Sequence, residues 1–159
     1  MALDVDLHRR TVSLPAPEGG RPLRFSVVDA GPRDALRTLV FIHGFGGRAA
    51  YWHYQLDHFH YDSRVIALDL RGHGRSDKPD DGYDFTTVTD DLLALIDHLG
   101  LDQPVVAGQS WGGNIVVELA WRAPERMRGV CAVDGGTIEL GTRFPSWDDC
   151  AEQLKPPPL

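Results

Sequence analysis

The chain has 159 residues, of which 42% are hydrophobic and 25% are charged, and its formal net charge is −7. This length suits one globular domain with a buried core, and the acidic balance argues against nucleic acid or an anionic membrane as a partner, since both attract Lys/Arg clusters. Apolar runs stay short of the roughly 20 residues of a membrane span and the N-terminus shows no signal-peptide pattern, so we expect a cytoplasmic protein.

The first predicted element is a β-hairpin between residues 11 and 30. Its strands are residues 11–14 and 23–28, and prolines and glycines mark the turn between them. Four later apolar runs are typical of strands buried on both faces, as in a parallel sheet covered by helices. They are residues 39–42, 65–68, 105–108 and 130–133. Because Cys131 lies in the last run, we expect it in the core.

Helical patterns separate these strands. The clearest covers residues 87–99, where Thr86 or Thr87 could cap the start and Gly100 suits the end. A second helix should begin near Ser110, stop before Pro124 and bury Ile115, Val116 and Leu119, and a weaker one should cover residues 49–59. The alternation predicts a doubly wound α/β fold with a mostly parallel sheet and an N-terminal hairpin.

Three glycine-rich motifs follow three of the predicted strands, at the edge where an open α/β sheet places its active site. They read HGFGG (residues 43–47), DLRGHGRSD (69–77) and GQSWGG (108–113). Together they resemble the α/β-hydrolase family in its esterase, epoxide-hydrolase and haloperoxidase-like branch. The resemblance extends from about residue 10 to residue 133 and implies the first six of eight strands. It makes residues 1–144 the N-terminal part of the core domain, and residues 145–159 the start of a cap segment or a disordered tail.

Gly108-Gln109-Ser110-Trp111-Gly112 matches the G-x-S-x-G nucleophile elbow. The two glycines let a strand turn sharply into a helix and expose the Ser110 hydroxyl. By resemblance, Ser110 is the nucleophile, the Trp111 and Phe45 N–H groups form the oxyanion hole, and Gly44 belongs to the oxyanion loop. A serine at the elbow disfavours epoxide-hydrolase and dehalogenase chemistry, which needs a carboxylate there.

The serine lacks an obvious base, because all seven histidines precede Ser110. In the family the order is serine, acid, histidine. We interpret His43 as a residue that positions backbone, and Arg71, His73 and Asp77 as members of a structural loop. The surface helix at residues 49–59 and its exit carry His53, His58 and His60, with no metal-ligand pattern.

The triad acid is open at this stage. Asp134 ends the last predicted strand, a position that supplies the acid in some family members, and it is otherwise a strand-end residue. Asp148 and Asp149 in the tail are weaker candidates. Either the sequence is an incomplete copy of a longer hydrolase, which we favour, or a truncated protein is made as it stands.

The resemblance implies hydrolysis of an ester, amide, lactone or related carbon–heteroatom bond in a small molecule, with no cofactor and no metal. Serine members that cleave carbon–carbon bonds or act as haloperoxidases share the same residues. A non-catalytic ligand-binding or interaction module on this scaffold is the alternative. For the 159 residues themselves we expect little turnover, because the base is missing, and an exposed sheet edge at residues 130–133.

Overall fold

Strands and helices alternate along the chain in a computed structural model that describes residues 2–15, 21–136, 146 and 149. The strands are β1 (Arg9–Leu14), β2 (Leu23–Ala30), β3 (Thr38–Ile42), β4 (Arg64–Leu68), β5 (Val105–Gln109) and β6 (Gly129–Val133). The helices are α1 (His53–Phe59), α2 (Phe85–His98) and α3 (Trp111–Arg122), with short 3-10 helices at Ala49–Trp52 and Pro124–Arg126. None of the helices in the described ranges is long and apolar enough to cross a membrane.

The strands form one sheet in the order β1-β2-β4-β3-β5-β6. β1 and β2 pair in antiparallel fashion and β2 joins β4 in the same way, while β4, β3, β5 and β6 run parallel. The predicted fold class is therefore confirmed, including the N-terminal hairpin, whose turn at residues 16–20 lies outside the described residues. Ile42 pairs with both Leu68 and Gly108, so the three strands that precede the glycine-rich motifs end at the same edge.

Successive side chains of a strand point to opposite faces of the sheet, and both faces of the central strands are covered. Ile66 and Leu68 of β4 pack in a core with residues of α2 and α3, whereas Val65 and Ala67 pack with Trp52 and with α1. All of β4 is buried, as the unbroken apolar run predicts.

The predicted α2 cap is wrong by two or three residues. Asp84 is the N-cap, and its carboxylate accepts the Thr87 N–H at 2.9 Å. Thr86 and Thr87 therefore lie inside the first turn. The helix from residue 111 to 122 agrees with prediction and buries Ile115, Val116 and Leu119, and the weak helix at 49–59 is a 3-10 turn followed by α1.

The prediction that Cys131 lies in the core is wrong. β6 pairs with β5, and in the described part of the chain no strand adjoins its other edge. Residues 130–133 are all exposed, Cys131 among them, and Val133 retains 41% of its surface. An apolar run is buried on both faces only where helices cover both faces. The expected exposed edge at residues 130–133 is confirmed.

A buried ionic cluster joins the first strands at the edge of the sheet away from Ser110. The Asp29 carboxylate, 1% exposed, accepts hydrogen bonds from Arg10 at 2.5 Å, Arg33 at 2.6 Å and Arg64 at 3.1 Å. Burial raises the pKa of Asp29, but the hydrogen bonds from the three guanidinium groups outweigh burial and hold that pKa below its usual range. The ionised carboxylate thus stabilises the contact between β1, β2 and β4.

Candidate active site

Ser110 is the single residue between β5 and α3, and its backbone is strained. Its φ of 54° and ψ of −120° lie where side chains are rarely found, at a cost of about 1–3 kcal/mol. Two contacts hold it there: the Ser110 N–H donates to the Val133 carbonyl at 2.9 Å, and the Ser110 carbonyl accepts the Gly113 N–H at 2.8 Å. Surrounding structure thus imposes the sharp turn on Ser110.

Glycines let three segments meet at this turn. A Cβ on Gly108 would lie 2.0 Å from the Gly112 carbonyl oxygen, and one on Gly112 would lie 2.6 Å from the His43 carbonyl oxygen. A Cβ on Gly44 would lie 3.0 Å from the Ser110 Cβ. Side chains at these three positions would collide with backbone or with Ser110, so the loop after β3 lies directly against the elbow.

The loop after β3 carries the Phe45 backbone N–H next to the turn at Ser110. The Gly44 carbonyl accepts hydrogen bonds from the His43 Nδ1–H at 2.7 Å and from the Gly47 N–H at 3.0 Å. Because the peptide bond is planar and trans, the Phe45 N–H of the same peptide unit points the opposite way. Among the described residues nothing accepts this N–H. The Trp111 N–H, the first amide of α3, has no acceptor within the helix either.

His43 is buried, and both of its ring nitrogens are occupied. Its Nε2 accepts the Leu70 N–H at 3.0 Å, which assigns the proton to Nδ1, the atom that contacts the Gly44 carbonyl. Burial lowers the pKa of His43, so the ring is held neutral. Its lone pair is not available to Ser110, and its contacts are those of a residue that positions backbone.

The loop of residues 69–77 is held by hydrogen bonds and ion pairs to other parts of the fold. The Asp69 carboxylate, at the end of β4, accepts the N–H groups of Ala49 at 2.7 Å and Arg75 at 2.9 Å. The Arg71 guanidinium makes two hydrogen bonds to Asp91, at 2.5 and 2.7 Å, and these raise the pKa of Arg71. In the same way Asp77 pairs with Arg24 at 2.9 Å. These contacts agree with a structural role for Arg71 and Asp77.

His73 makes a contact that the sequence analysis missed. Its Nε2 accepts the Gly46 N–H at 3.2 Å, and its ring lies 5.0 Å from the His43 ring and 5.9 Å from the Phe45 ring, measured between centroids. The Trp111 ring also stacks on the His73 ring, with 6.1 Å between their centroids. The sequence carried a signal for these ring contacts, because aromatic side chains occur in all three glycine-rich motifs and the motifs follow neighbouring strands.

Asp134 follows β6 with a positive φ of 51° and is exposed to solvent. The next residues cross the elbow: a Cβ on Gly135 would lie 2.1 Å from the Ser110 carbonyl oxygen, and the Gly136 N–H donates to the Asn114 side chain at 2.9 Å. The structure thus places Asp134 beside the elbow, and within the described ranges no histidine contacts its carboxylate. Asp148 lies outside the described residues.

A cavity of about 660 Å³ opens beside the elbow on the α1 side of the sheet. It is lined mainly by the end of β5, the 3-10 helix and the start of α1, including His43, Arg48, Tyr51, Trp52 and Gln109. Within the described ranges no group of three or more His, Cys, Asp or Glu side chains could hold a metal ion.

Comparison with known proteins agrees with this architecture. The family model described as "alpha/beta hydrolase fold" matches residues 37–157. The chain is 38% identical over 117 residues to the dihydrolipoyllysine-residue acetyltransferase component of the acetoin cleaving system of Pseudomonas putida. This alignment covers 71% of this chain and 31% of that protein. It is 45% identical over 96 residues to a non-heme chloroperoxidase of Streptomyces lividans, covering 60% of this chain and 34% of the relative.

A solved structure described as an N-acyl homoserine lactone degrading enzyme superposes with a TM-score of 0.76 at 31% identity, covering 91% of this chain and 52% of that one. The chain therefore spans about a third of the two curated relatives and about half of the solved structure.

Proposed function

Because the chain belongs to the alpha/beta hydrolase fold family, we propose that it is a serine hydrolase in which Ser110 attacks an ester, lactone or related carbon–heteroatom bond of a small molecule. The observation that carries this proposal is the strained turn at Ser110, flanked by the two segments whose Phe45 and Trp111 N–H groups have no acceptor among the described residues. Strain of this kind persists where function requires it. The solved relative that degrades a lactone supports the bond class.

In the proposed reaction the Ser110 hydroxyl adds to the carbonyl carbon while its proton passes to a base. The negative charge that develops on the carbonyl oxygen is stabilised by the Phe45 and Trp111 N–H groups and by the N-terminus of α3. Loss of one such donor typically costs about 3 kcal/mol of transition-state stabilisation. The base then gives this proton to the leaving group, which departs, and water hydrolyses the acyl-serine to release the acid and restore the Ser110 hydroxyl.

The turnover rate that we expect depends on how readily a base can remove the proton of the Ser110 hydroxyl. All seven histidines precede Ser110, and His43 and His73 already accept backbone N–H groups with their free lone pairs. We keep Asp134 as the candidate acid because it lies beside the elbow. We therefore propose slow turnover by these 159 residues, even though Ser110 and the amide donors are in place.

A fluorophosphonate probe tests the nucleophile, because the amide donors proposed for the oxyanion would also stabilise the charge that develops on the phosphonyl oxygen. Without a base we expect this labelling to be slow but selective. We expect one adduct, mapped to Ser110 by mass spectrometry, which is absent in Ser110→Ala and after unfolding in urea. Ser13→Ala, in β1 of the hairpin, is the matched control and should be labelled like the wild type. A folded chain that forms no adduct, or adducts spread over several serines, would contradict the proposal and favour the non-catalytic binding module.

A further inference from the structure

At residues 45 and 46, which are exposed, hydrogen bonds rather than packing hold the loop that carries the Phe45 N–H. The Phe45 side chain is 85% exposed, and no heavy atom would lie within 4 Å of a Cβ on Gly46. The peptide unit before Phe45 is fixed through the Gly44 carbonyl, which accepts from His43 and Gly47. The peptide unit after Phe45 is fixed through the Gly46 N–H, which His73 Nε2 accepts at 3.2 Å.

His73 is itself well anchored. Its Nδ1–H donates to the Arg71 carbonyl at 2.9 Å, which leaves the lone pair on Nε2 for Gly46. Its ring contacts the His43 ring and the Trp111 ring, and the Trp111 ring stacks on it at an interplanar angle of 28°. Arg71 in turn is tied to Asp91 on α2 by two hydrogen bonds. The acceptor is therefore presented by a rigid part of the fold to an exposed loop.

We propose that His73 is a positioning residue for the reaction: its neutral Nε2 holds the Gly46 N–H and so keeps the Phe45 amide in place beside Ser110. With both neighbouring peptide planes fixed, φ and ψ of Phe45 are set. This role rests on the proposed function, because it concerns the donor that would stabilise the oxyanion. Preorganised donors stabilise a transition state because they need no reorganisation as charge develops.

The contact requires the neutral imidazole, because a protonated ring has no lone pair for the Gly46 N–H. His43 faces His73 from the loop after β3, but it is neutral and both its nitrogens are engaged. The Arg71 guanidinium on the same loop is paired with Asp91, while Phe45 and Trp111 carry no charge. The two contacts of the His73 ring therefore identify it as the neutral tautomer with its proton on Nδ1.

Two substitutions at His73 distinguish the effect of the hydrogen-bond acceptor from the effect of ring packing. His73→Phe keeps an aromatic ring against Trp111 but has no acceptor, and His73→Gln keeps a carbonyl oxygen near the position of Nε2. We measure the hydrogen exchange of the Gly46 amide by NMR, with the Gly47 amide as the internal control, since Gly47 donates to Gly44 rather than to His73. Exchange at Gly46 should accelerate about tenfold in His73→Phe, and Gly47 should be unchanged.

The same variants are then treated with the fluorophosphonate probe. Labelling at Ser110 should be about tenfold slower in His73→Phe and close to wild type in His73→Gln. Unchanged Gly46 exchange in His73→Phe would overturn the proposal, as would equal loss of labelling in both variants. Absence of labelling in every chain, with Gly46 still responding, would refute the proposed function and leave the His73 contact standing.

Discussion

Substitution of Gly108 by alanine should destabilise the protein, because strand β5 and helix α3 touch at this glycine. The added methyl would lie 2.0 Å from the carbonyl oxygen and 2.4 Å from the carbonyl carbon of Gly112. Ordinary contacts are about 3.5 Å, so the first turn of α3 would have to retreat by about 1.5 Å. Gly112 is itself pressed against the end of β3, where a Cβ would lie 2.6 Å from two carbonyl oxygens. The clash cannot be relieved by a flexible side chain.

Overpacking of this kind costs about 3 kcal/mol, at the upper end of the usual range, because backbone rather than side chain must move. For a chain of this length that lowers the Tm by about 10 °C. The assay is urea and thermal unfolding followed by circular dichroism. Gly129→Ala in the adjacent strand β6 is the control, since nothing lies within 4 Å of its Cβ position, and it should change stability by less than about 0.5 kcal/mol. If Gly108→Ala has the same Tm and free energy of unfolding as Gly129→Ala, the close approach of α3 to β5 is wrong.

Three further predictions concern other parts of the fold. Asp29→Asn should lower the free energy of unfolding by about 3 kcal/mol at pH 7, because three guanidinium groups lose their buried partner. Since the pKa of Asp29 is lowered in the folded state, its stabilisation is complete above the unfolded carboxyl pKa of about 3.9 and is lost as pH falls through the folded value. The two chains should therefore converge in acid, and a difference that stays constant down to pH 2 would contradict this. Asp84→Ala should lower the Tm, while Thr86→Ala should leave it unchanged, because Asp84 caps α2. A lower Tm in Thr86→Ala and an unchanged Tm in Asp84→Ala would instead support the threonine cap predicted from the sequence. Iodoacetamide should alkylate Cys131 in the native chain about as fast as in urea, because this thiol is exposed. Peptide mapping measures the alkylation, with Cys131→Ser as the reference. Protection of the thiol in the native chain would show that β6 is covered.

The strands were predictable where local composition and tertiary environment agree. The run at residues 65–68 is apolar, and β4 is central and covered on both faces, so here the sequence pattern correctly predicts burial on both faces. The run at 130–133 is also entirely apolar, yet β6 is exposed. Composition records what a strand can bury, whereas the number of layers that cover it depends on elements far away in sequence. Cys131 was misplaced for this reason.

Caps and hydrogen-bond partners were less predictable. Aspartate and threonine both cap helices, and the choice of Asp84 follows from where α2 starts, at Phe85. Boundaries of this kind shift by one or two residues with small changes in packing. The elbow was predictable because its glycines satisfy short-range steric needs. The His73 contact was not, because its partner Gly46 lies 27 residues earlier and reaches it only through the register of β3 and β4.

The two histidines near Ser110 act on the backbone in the same way. His43 and His73 each have one ring nitrogen against a carbonyl oxygen and the other accepting a backbone N–H, so each serves as a neutral bridge between loops. A protonated imidazole could not make both contacts. The loops that meet at Ser110 therefore depend on uncharged imidazoles. The proposed oxyanion stabilisation comes from amide dipoles and the end of α3 rather than from a nearby positive ring. Positioning of the electrophilic side of the site and transfer of the serine proton are thus separate tasks, carried by different groups.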